Sequence, residues 1–213
     1  MAVLFDLDGT LVDTVPLILE SVRHAFAGER RGPTDAEWIA GIGTPLRAQL
    51  QPWTDGPEHL ERIVARYRAF QQEHHDRRTA AFPEAVEAVR ALHARGHRIG
   101  VVTGKLSAPA ARSLAHVGLA PYVSALVGAD SCPHHKPDPG PVLAALERLG
   151  ALPAEAAFVG DSAVDIRAGN AAGVVTIAAL WGAATREELA AARPAHLCEH
   201  VRQVPPLVER LGT

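Results

Sequence analysis

The 213-residue chain predicts an α/β fold: a Rossmann-like parallel sheet core with helices on both faces, plus an all-helical cap inserted after the first strand. Three observations carry that expectation. Short apolar runs alternate with amphipathic helical stretches. Three of the runs stop in the same way, at a polar residue beside a glycine, with a helix following. One long stretch, Thr14 to about Ala81, breaks the alternation and offers helical patterns but no convincing strand.

The first run, Ala2 to Leu7, leads into Asp6-Leu-Asp8-Gly9-Thr10 and suits a buried parallel strand stopped by a turn. Within the insertion, Gly28 to Pro57 is rich in Gly, Pro and Thr. Pro57 to His75 reads as one long exposed helix, with Leu60, Ile63, Val64, Tyr67 and Phe70 on one side. Residues 1–13 and 82–213 are therefore the expected catalytic core, and 14–81 the expected cap. Pro83 to Arg95 sets Ala85, Val86, Val89 and Leu92 at helical spacing, with Pro83 suited to the helix start and Gly96 to its end. Arg98 to Val102 is a second strand, stopping at Thr103-Gly104. Ser107 to Val117 is a helix closed by Gly118, and Ser124 to Val127 a weaker strand. Pro139 to Leu149 places Val142, Leu143, Leu146 and Leu149 on one face before Gly150. Ala156 to Val159 runs into Gly160-Asp161, Ser162 to Ala172 is a helix ended by Gly173, and Val174 to Ala178 is a further strand. No internal repeat is evident.

Composition narrows the classes. With 47% hydrophobic and 21% charged residues the chain is globular, not disordered. Its net charge of −3 gives no basic face for nucleic acid. Two cysteines, Cys132 and Cys198, are too few for a disulfide framework and point to a reducing, cytoplasmic compartment. The N-terminal MAVLFDLDGT has no basic leader, and Asp6 interrupts its apolar run too early for a signal peptide. Ala168 to Thr185 carries no charge, but Gly169, Asn170, Gly173 and Gly182 break it, so it reads as helix end, strand and loop and not as a membrane span. Only Lys105 and Lys136 are lysines; every other member of the 21 basic residues is arginine.

The strand ends carry the chemistry. In open parallel sheets they line a crevice where ligands bind, and here they deliver Asp6, Asp8, Thr103 and Asp161. Converging carboxylates repel one another and stay ionised together only around a cation. All-oxygen donors with room for water and phosphate favour Mg²⁺. Lys136 lies in a proline-fixed loop, Cys132-Pro-His-His-Lys-Pro-Asp-Pro139, just before a helix. With Thr103 it suits the oxygens of a transferring phosphoryl group, and an ammonium kept in an arginine-rich chain is a compact point charge. Lys105 divides evenly between substrate contact and a solvent-facing position.

Asp6-Leu-Asp8-Gly9-Thr10-Leu-Val-Asp13, Val-Val-Thr103-Gly104, Lys136-Pro-Asp-Pro139 and Val-Gly160-Asp161-Ser-Ala-Val-Asp165 follow one another across nearly the whole chain. In that order they resemble the motifs of the haloacid-dehalogenase-like hydrolases, most closely the phosphoglycolate phosphatases and related pyrophosphatases with a small helical cap. The resemblance implies a Mg²⁺-dependent phosphohydrolase. In it Asp6 is the nucleophile that becomes an aspartyl-phosphate, and Asp8 protonates the leaving oxygen and then helps deprotonate water. It further implies a metal site of Asp6, Asp161 and the Asp8 backbone carbonyl, supported by Asp165. Thr103, the Gly104 N–H and Lys136 hold the phosphoryl oxygens. Asp8 also separates this chain from the dehalogenases, which lack an aspartate there.

The implied substrate is a small phosphorylated metabolite such as 2-phosphoglycolate, taken by a monomer or homodimer. The alternatives are an inorganic pyrophosphatase or a sugar-phosphate mutase and, less favoured, a phosphorelay receiver or a non-catalytic binding protein. In the cap, Gly41-Ile-Gly43-Thr44-Pro45-Leu-Arg47 reads as a Gly-rich turn entering a helix, where Arg47 suits a carboxylate or second phosphate. The opposing reading leaves Arg47 a surface charge. His134, His135 and the His74-His75 pair are expected in solvent, Cys132 as a small loop residue, Asp13 in a structural hydrogen bond, and Trp38, Trp53 and Trp181 in packing.

Overall fold

The computed structural model describes residues 1–212. Its strands are β1 (Ala2–Phe5), β2 (Val12–Asp13), β3 (Ala80–Ala81), β4 (Arg98–Val102), β5 (Val123–Val127), β6 (Ala156–Gly160), β7 (Val175–Ala179) and β8 (His196–Cys198). Six of them form one sheet in the order β5-β4-β1-β6-β7-β8, every neighbouring pair parallel. Chain order therefore runs outward in both directions from β1, and the gap between the ends of β1 and β6 is the switch point at which such sheets bind ligands.

The sequence explains why β1 occupies the centre. Every residue of Ala2–Phe5 is buried, with alternate side chains serving opposite faces. Val3 and Phe5 join a core with Val89, Leu92 and Leu114; Ala2 and Leu4 join another with Val142 and Leu146. The first core packs α5 (Ala85–Ala94), α6 (Ser107–His116) and α10 (Val204–Leu211) on one side of the sheet. The second packs α7 (Gly140–Leu149) and α8 (Ala163–Ala172) on the other. Phe158 is fully buried in that second layer, and truncation to Ala there costs about 3–5 kcal/mol.

Between β2 and β3 the chain is helical: α1 (Val15–Ala25), α2 (Asp35–Ile39), α3 (Leu46–Leu50) and α4 (Pro57–Arg78). These elements enclose a separate apolar cluster, in which Ile18 and Val22 of α1 meet Trp38, Leu50, Ile63 and Tyr67. Thr34 opens α2 through a reciprocal capping box with Glu37. Both chain crossings between this segment and the sheet are tied together, because Val12 and Asp13 pair antiparallel with Ala81 and Ala80. A 3.1 Å bond from the Phe82 N–H to the Leu11 carbonyl extends the ribbon.

Several expectations need correcting. β1 stops at Phe5, and Leu7 becomes the hub of a turn whose carbonyl accepts from the N–H groups of Thr10, Leu11 and Val12. Pro83 does not start α5: Glu84 takes a left-handed backbone (φ 66°), and the helix begins at Ala85. Leu143 stands on the open side of α7 and is exposed, unlike Val142 and Leu146. β8 and the β2–β3 ribbon are too short to register as apolar runs.

His75 is buried, not solvated. Its Nε2 lies 2.8 Å from Ser113 Oγ on α6, and its Nδ1 lies 2.7 Å from Asp76 Oδ1. Arg112 adds a 2.9 Å bond to Asp76, so the end of α4 is anchored on α6. Asp13 is exposed, and its carboxylate makes no hydrogen bond among the described residues. Among those residues no helix is long and apolar enough to cross a membrane.

Candidate active site

Asp6 sits one residue past β1, and its N–H bonds the Val159 carbonyl of β6 at 2.9 Å, which seats it at the switch point. Asp161 directly follows β6, and Asp165 is the third residue of α8. Ligand oxygens of Asp6, Asp161 and Asp165 all lie within 4.8 Å of one another, each residue buried.

Each acid has its own partners. Asp161 accepts from Thr10 Oγ1 at 2.6 Å and from the Ala183 N–H at 2.9 Å. Room for its carboxylate comes from Gly9 (φ +88°) and Gly182, where an added Cβ would overlap it. Burial pushes the Asp161 carboxyl up to about 6, with repulsion from Asp165 adding to the rise and the Thr10 and Ala183 bonds opposing it. Asp165 accepts the Ser162 N–H at 3.1 Å and the Ser162 hydroxyl, in the capping box that starts α8.

Lys136 Nζ lies 2.5 Å from Asp165 Oδ1, 3.1 Å from Asp6 Oδ1 and 3.2 Å from the Val102 carbonyl. Burial works against its charge, but Asp165 and Asp6 together hold the ammonium above the ordinary lysine range. Asp6 is raised well above the ordinary carboxyl value, first by burial and then by Asp165 and Asp161, against the pull of Lys136.

Three carboxylates against one ammonium leave a formal excess of two negative charges in a dry site. Asp6 Oδ1 is buried and makes no aligned hydrogen bond; its contact with Lys136 is electrostatic. A divalent cation satisfies both conditions, and an all-oxygen donor set suits a hard one.

The Asp8 carboxylate turns away from this group. Its Oδ1 accepts from Lys105 Nζ and from Thr14 Oγ1, each at 2.6 Å. Lys105 therefore faces the site and not solvent. Thr103 is buried at the end of β4, with its N–H on the Val127 carbonyl at 2.9 Å.

Asp6, Asp8, Thr103, Gly104 and Lys105 form the floor of a cavity of about 400 Å³, and the helical segment roofs it with Arg47, Tyr67 and Arg68. Arg47 does line the cavity, but both of its terminal nitrogens are engaged by Glu61 on α4, one at 2.8 Å. His134 and His135 are both exposed, as expected, and His135 also lines the cavity from the Lys136 loop. Cys132 bonds only the His134 carbonyl. Trp38 is buried in the helical cluster, and the Trp181 indole N–H donates to the Thr10 carbonyl at 2.9 Å.

Sequence reasoning missed Thr10, Thr14, Arg68 and Ser162. Ser162 carried a signal, since a Ser three residues before an acid at a helix start is a cap. Arg68 carried none, being one of several arginines on α4.

The sheet order and the buried acids define a Rossmann-like α/β protein with an acidic site at its switch point. A model of the haloacid dehalogenase-like hydrolase family matches residues 3–179, and the chain belongs to that family. It is 36% identical over 207 residues to the pyrophosphatase PpaX of Halalkalibacterium halodurans, covering 96% of this chain and 89% of that protein. It is 35% identical over 199 residues to the pyrophosphatase PpaX of Bacillus velezensis, covering 93% of this chain and 91% of that protein. The fold is shared with a predicted phosphoglycolate phosphatase from Haemophilus somnus (TM-score 0.89, 24% identity, 97% and 96% of the two chains).

Proposed function

We propose that this enzyme is a Mg²⁺-dependent phosphohydrolase that works through a phosphorylated Asp6. The observation that carries the reading is the buried cluster of Asp6, Asp161 and Asp165 with Lys136, whose two surplus negative charges call for a divalent ion beside a carboxylate oxygen that no hydrogen bond restrains. Asp6, Asp161 and the Asp8 backbone carbonyl would hold the ion, and Asp165 would support them. When bound, Mg²⁺ neutralises phosphoryl oxygens.

A carboxylate oxygen of Asp6 bonds phosphorus as the bond from phosphorus to the leaving oxygen breaks. Asp8 gives that oxygen a proton and is left as the carboxylate. Asp8 then takes a proton from water, whose oxygen attacks the phosphorus of the intermediate and restores Asp6. Thr103, the Gly104 N–H and Lys136 orient the phosphoryl oxygens. Residues 14–81 act as a cap that excludes water during the first step.

The substrate is a small molecule whose phosphoryl group is joined to a second anionic group. Pyrophosphate leads, because relatives named pyrophosphatases match nearly the whole chain. 2-Phosphoglycolate is the second reading, favoured by a cavity in which Arg47 and Arg68 stand opposite Asp6 and Asp8. Phosphate release from pyrophosphate, 2-phosphoglycolate and a hexose phosphate decides the matter. A kcat/KM on pyrophosphate at least about tenfold above the esters supports the first reading. Transfer of phosphate between two positions of the hexose, without net release, overturns hydrolysis in favour of a mutase.

A further inference from the structure

The chain contains only two lysines among 21 basic residues, and each sits on one member of the Asp6-Leu-Asp8 pair. Lys136 Nζ is 3.1 Å from Asp6 Oδ1, and Lys105 Nζ is 2.6 Å from Asp8 Oδ1. The arginines follow another pattern: Arg23, Arg31, Arg47, Arg186 and Arg202 pair with acids at the surface, about half or more of each side chain exposed, against 11% for Lys105. A chain that uses guanidinium for surface pairing has kept ammonium at two internal positions, both facing the reacting carboxylates.

Lys105 is also fixed at its backbone. Its N–H donates to Thr103 Oγ1 at 3.2 Å, and its carbonyl accepts from the Ala129 N–H at 2.9 Å. The ammonium therefore springs from the anchored end of β4. At its far end Asp8 Oδ1 takes two donors, Lys105 and Thr14, while Oδ2 accepts none, and both Asp8 and Lys105 line the cavity. One carboxylate oxygen is clamped and the other is offered. A charge-assisted bond of this length restricts rotation of the carboxylate far more than a neutral one, and proton transfer falls off steeply when donor and acceptor are misaligned.

We infer that Lys105 is the positioning residue for Asp8, holding Oδ1 so that Oδ2 faces the leaving oxygen. The inference rests on the reading of Asp8 as proton donor and acceptor. In the first half-reaction the proton on Oδ2 passes to the leaving oxygen as its bond to phosphorus breaks; in the second, Oδ2 takes a proton from water. Lys105 itself exchanges no proton in either.

The experiment compares two esters that differ in their need for a proton. The alkoxide of 2-phosphoglycolate departs only when protonated, whereas p-nitrophenolate leaves as the anion. In Lys105→Met the first half-reaction, read with enzyme in excess as the single-turnover release of glycolate or p-nitrophenol, is expected to slow about 100-fold for 2-phosphoglycolate and less than about fivefold for p-nitrophenyl phosphate, with the substrate concentration for half-saturation within about threefold; hydrolysis of the shared intermediate slows alike for both. Lys105→Met is expected to add less than about threefold to the loss already caused by Asp8→Asn, because the two changes remove one function. Should Lys105→Met lose its fold by circular dichroism, Lys105→Gln carries the same comparison.

Equal slowing of single-turnover release from the two esters, weaker saturation with that release unchanged, or losses that multiply with Asp8→Asn overturn the inference and make Lys105 a substrate ligand or a structural group. A wild-type enzyme that turns over neither ester nor pyrophosphate overturns the phosphohydrolase reading itself, and this inference with it.

Discussion

The carboxyl edge of the sheet and the helical segment above it hold charge in opposite ways. At the sheet edge Asp6, Asp161, Asp165 and Lys136 are all buried and touch one another. In the helical segment Arg23–Asp35, Arg31–Asp55 and Arg47–Glu61 are exposed pairs. Exposed pairs are worth about 0–1 kcal/mol each and can be exchanged at little cost. A buried cluster is different: removing one partner strands the others without solvent. The difference fits the proposed division, with the chemistry at the sheet, where a substitution is punished, and substrate discrimination on the helices, where it is tolerated.

Substitutions at the sheet edge break the comparison most sharply. Asp6→Asn is expected to lower turnover by about 10⁴-fold or more with the circular dichroism spectrum unchanged. Thermal stability does not fall, since one of three repelling charges is gone. Steady-state kinetics and a melting curve check both. Lys136→Met leaves its two buried acids unpaired and is expected to cost about 3–5 kcal/mol in urea unfolding, besides abolishing activity. EDTA is expected to stop turnover and Mg²⁺ to restore it. Ion at 100 times its Kd adds about 2.7 kcal/mol to the unfolding free energy, readable as a rise in Tm.

The helical side responds more gently. Arg47→Ala is expected to raise KM for pyrophosphate or 2-phosphoglycolate by about tenfold, KM for p-nitrophenyl phosphate by less than about twofold, and to move stability by less than about 0.5 kcal/mol.

The smallest effect concerns the anchor on α6. Burial holds the His75 pKa below its ordinary 6.5, helped by the positive charges of Arg112 and Lys105 and opposed by Asp76. A depressed histidine stabilises the fold fully above 6.5, and that contribution is lost as pH falls from there through the lower folded value. Tm between pH 7.5 and 5.5 is therefore expected to drop less in His75→Gln than in the wild type.

The sheet was legible because β1, β4 and β6 are almost wholly buried apolar runs and each ends on chemistry that a turn must expose. Arg98–Val102 coincides with its predicted span, and the approach of Asp6 to Asp161 follows from strand order alone. β8 escaped notice because a three-residue edge strand has no periodicity to read. The roof of the cavity was less legible for a related reason. Gln71, Tyr67 and Arg68 face it from a 22-residue helix whose polar positions look alike, and only the packing of α4 on α1 decides which of them points inward. The Lys105–Asp8 pair joins residues 97 positions apart, a distance at which composition could mark the lysine as unusual but could not name its partner.

The paired crossings at Val12–Asp13 and Ala80–Ala81 have one more consequence. Neighbouring strands lie about 5 Å apart, so a short turn can bridge the points where the intervening helices leave and return. The alignment of the parallel sheet therefore does not depend on the path of the chain between those two points. The ribbon works as a clasp that fixes where the helical segment leaves and rejoins the sheet, whatever the chain does in between.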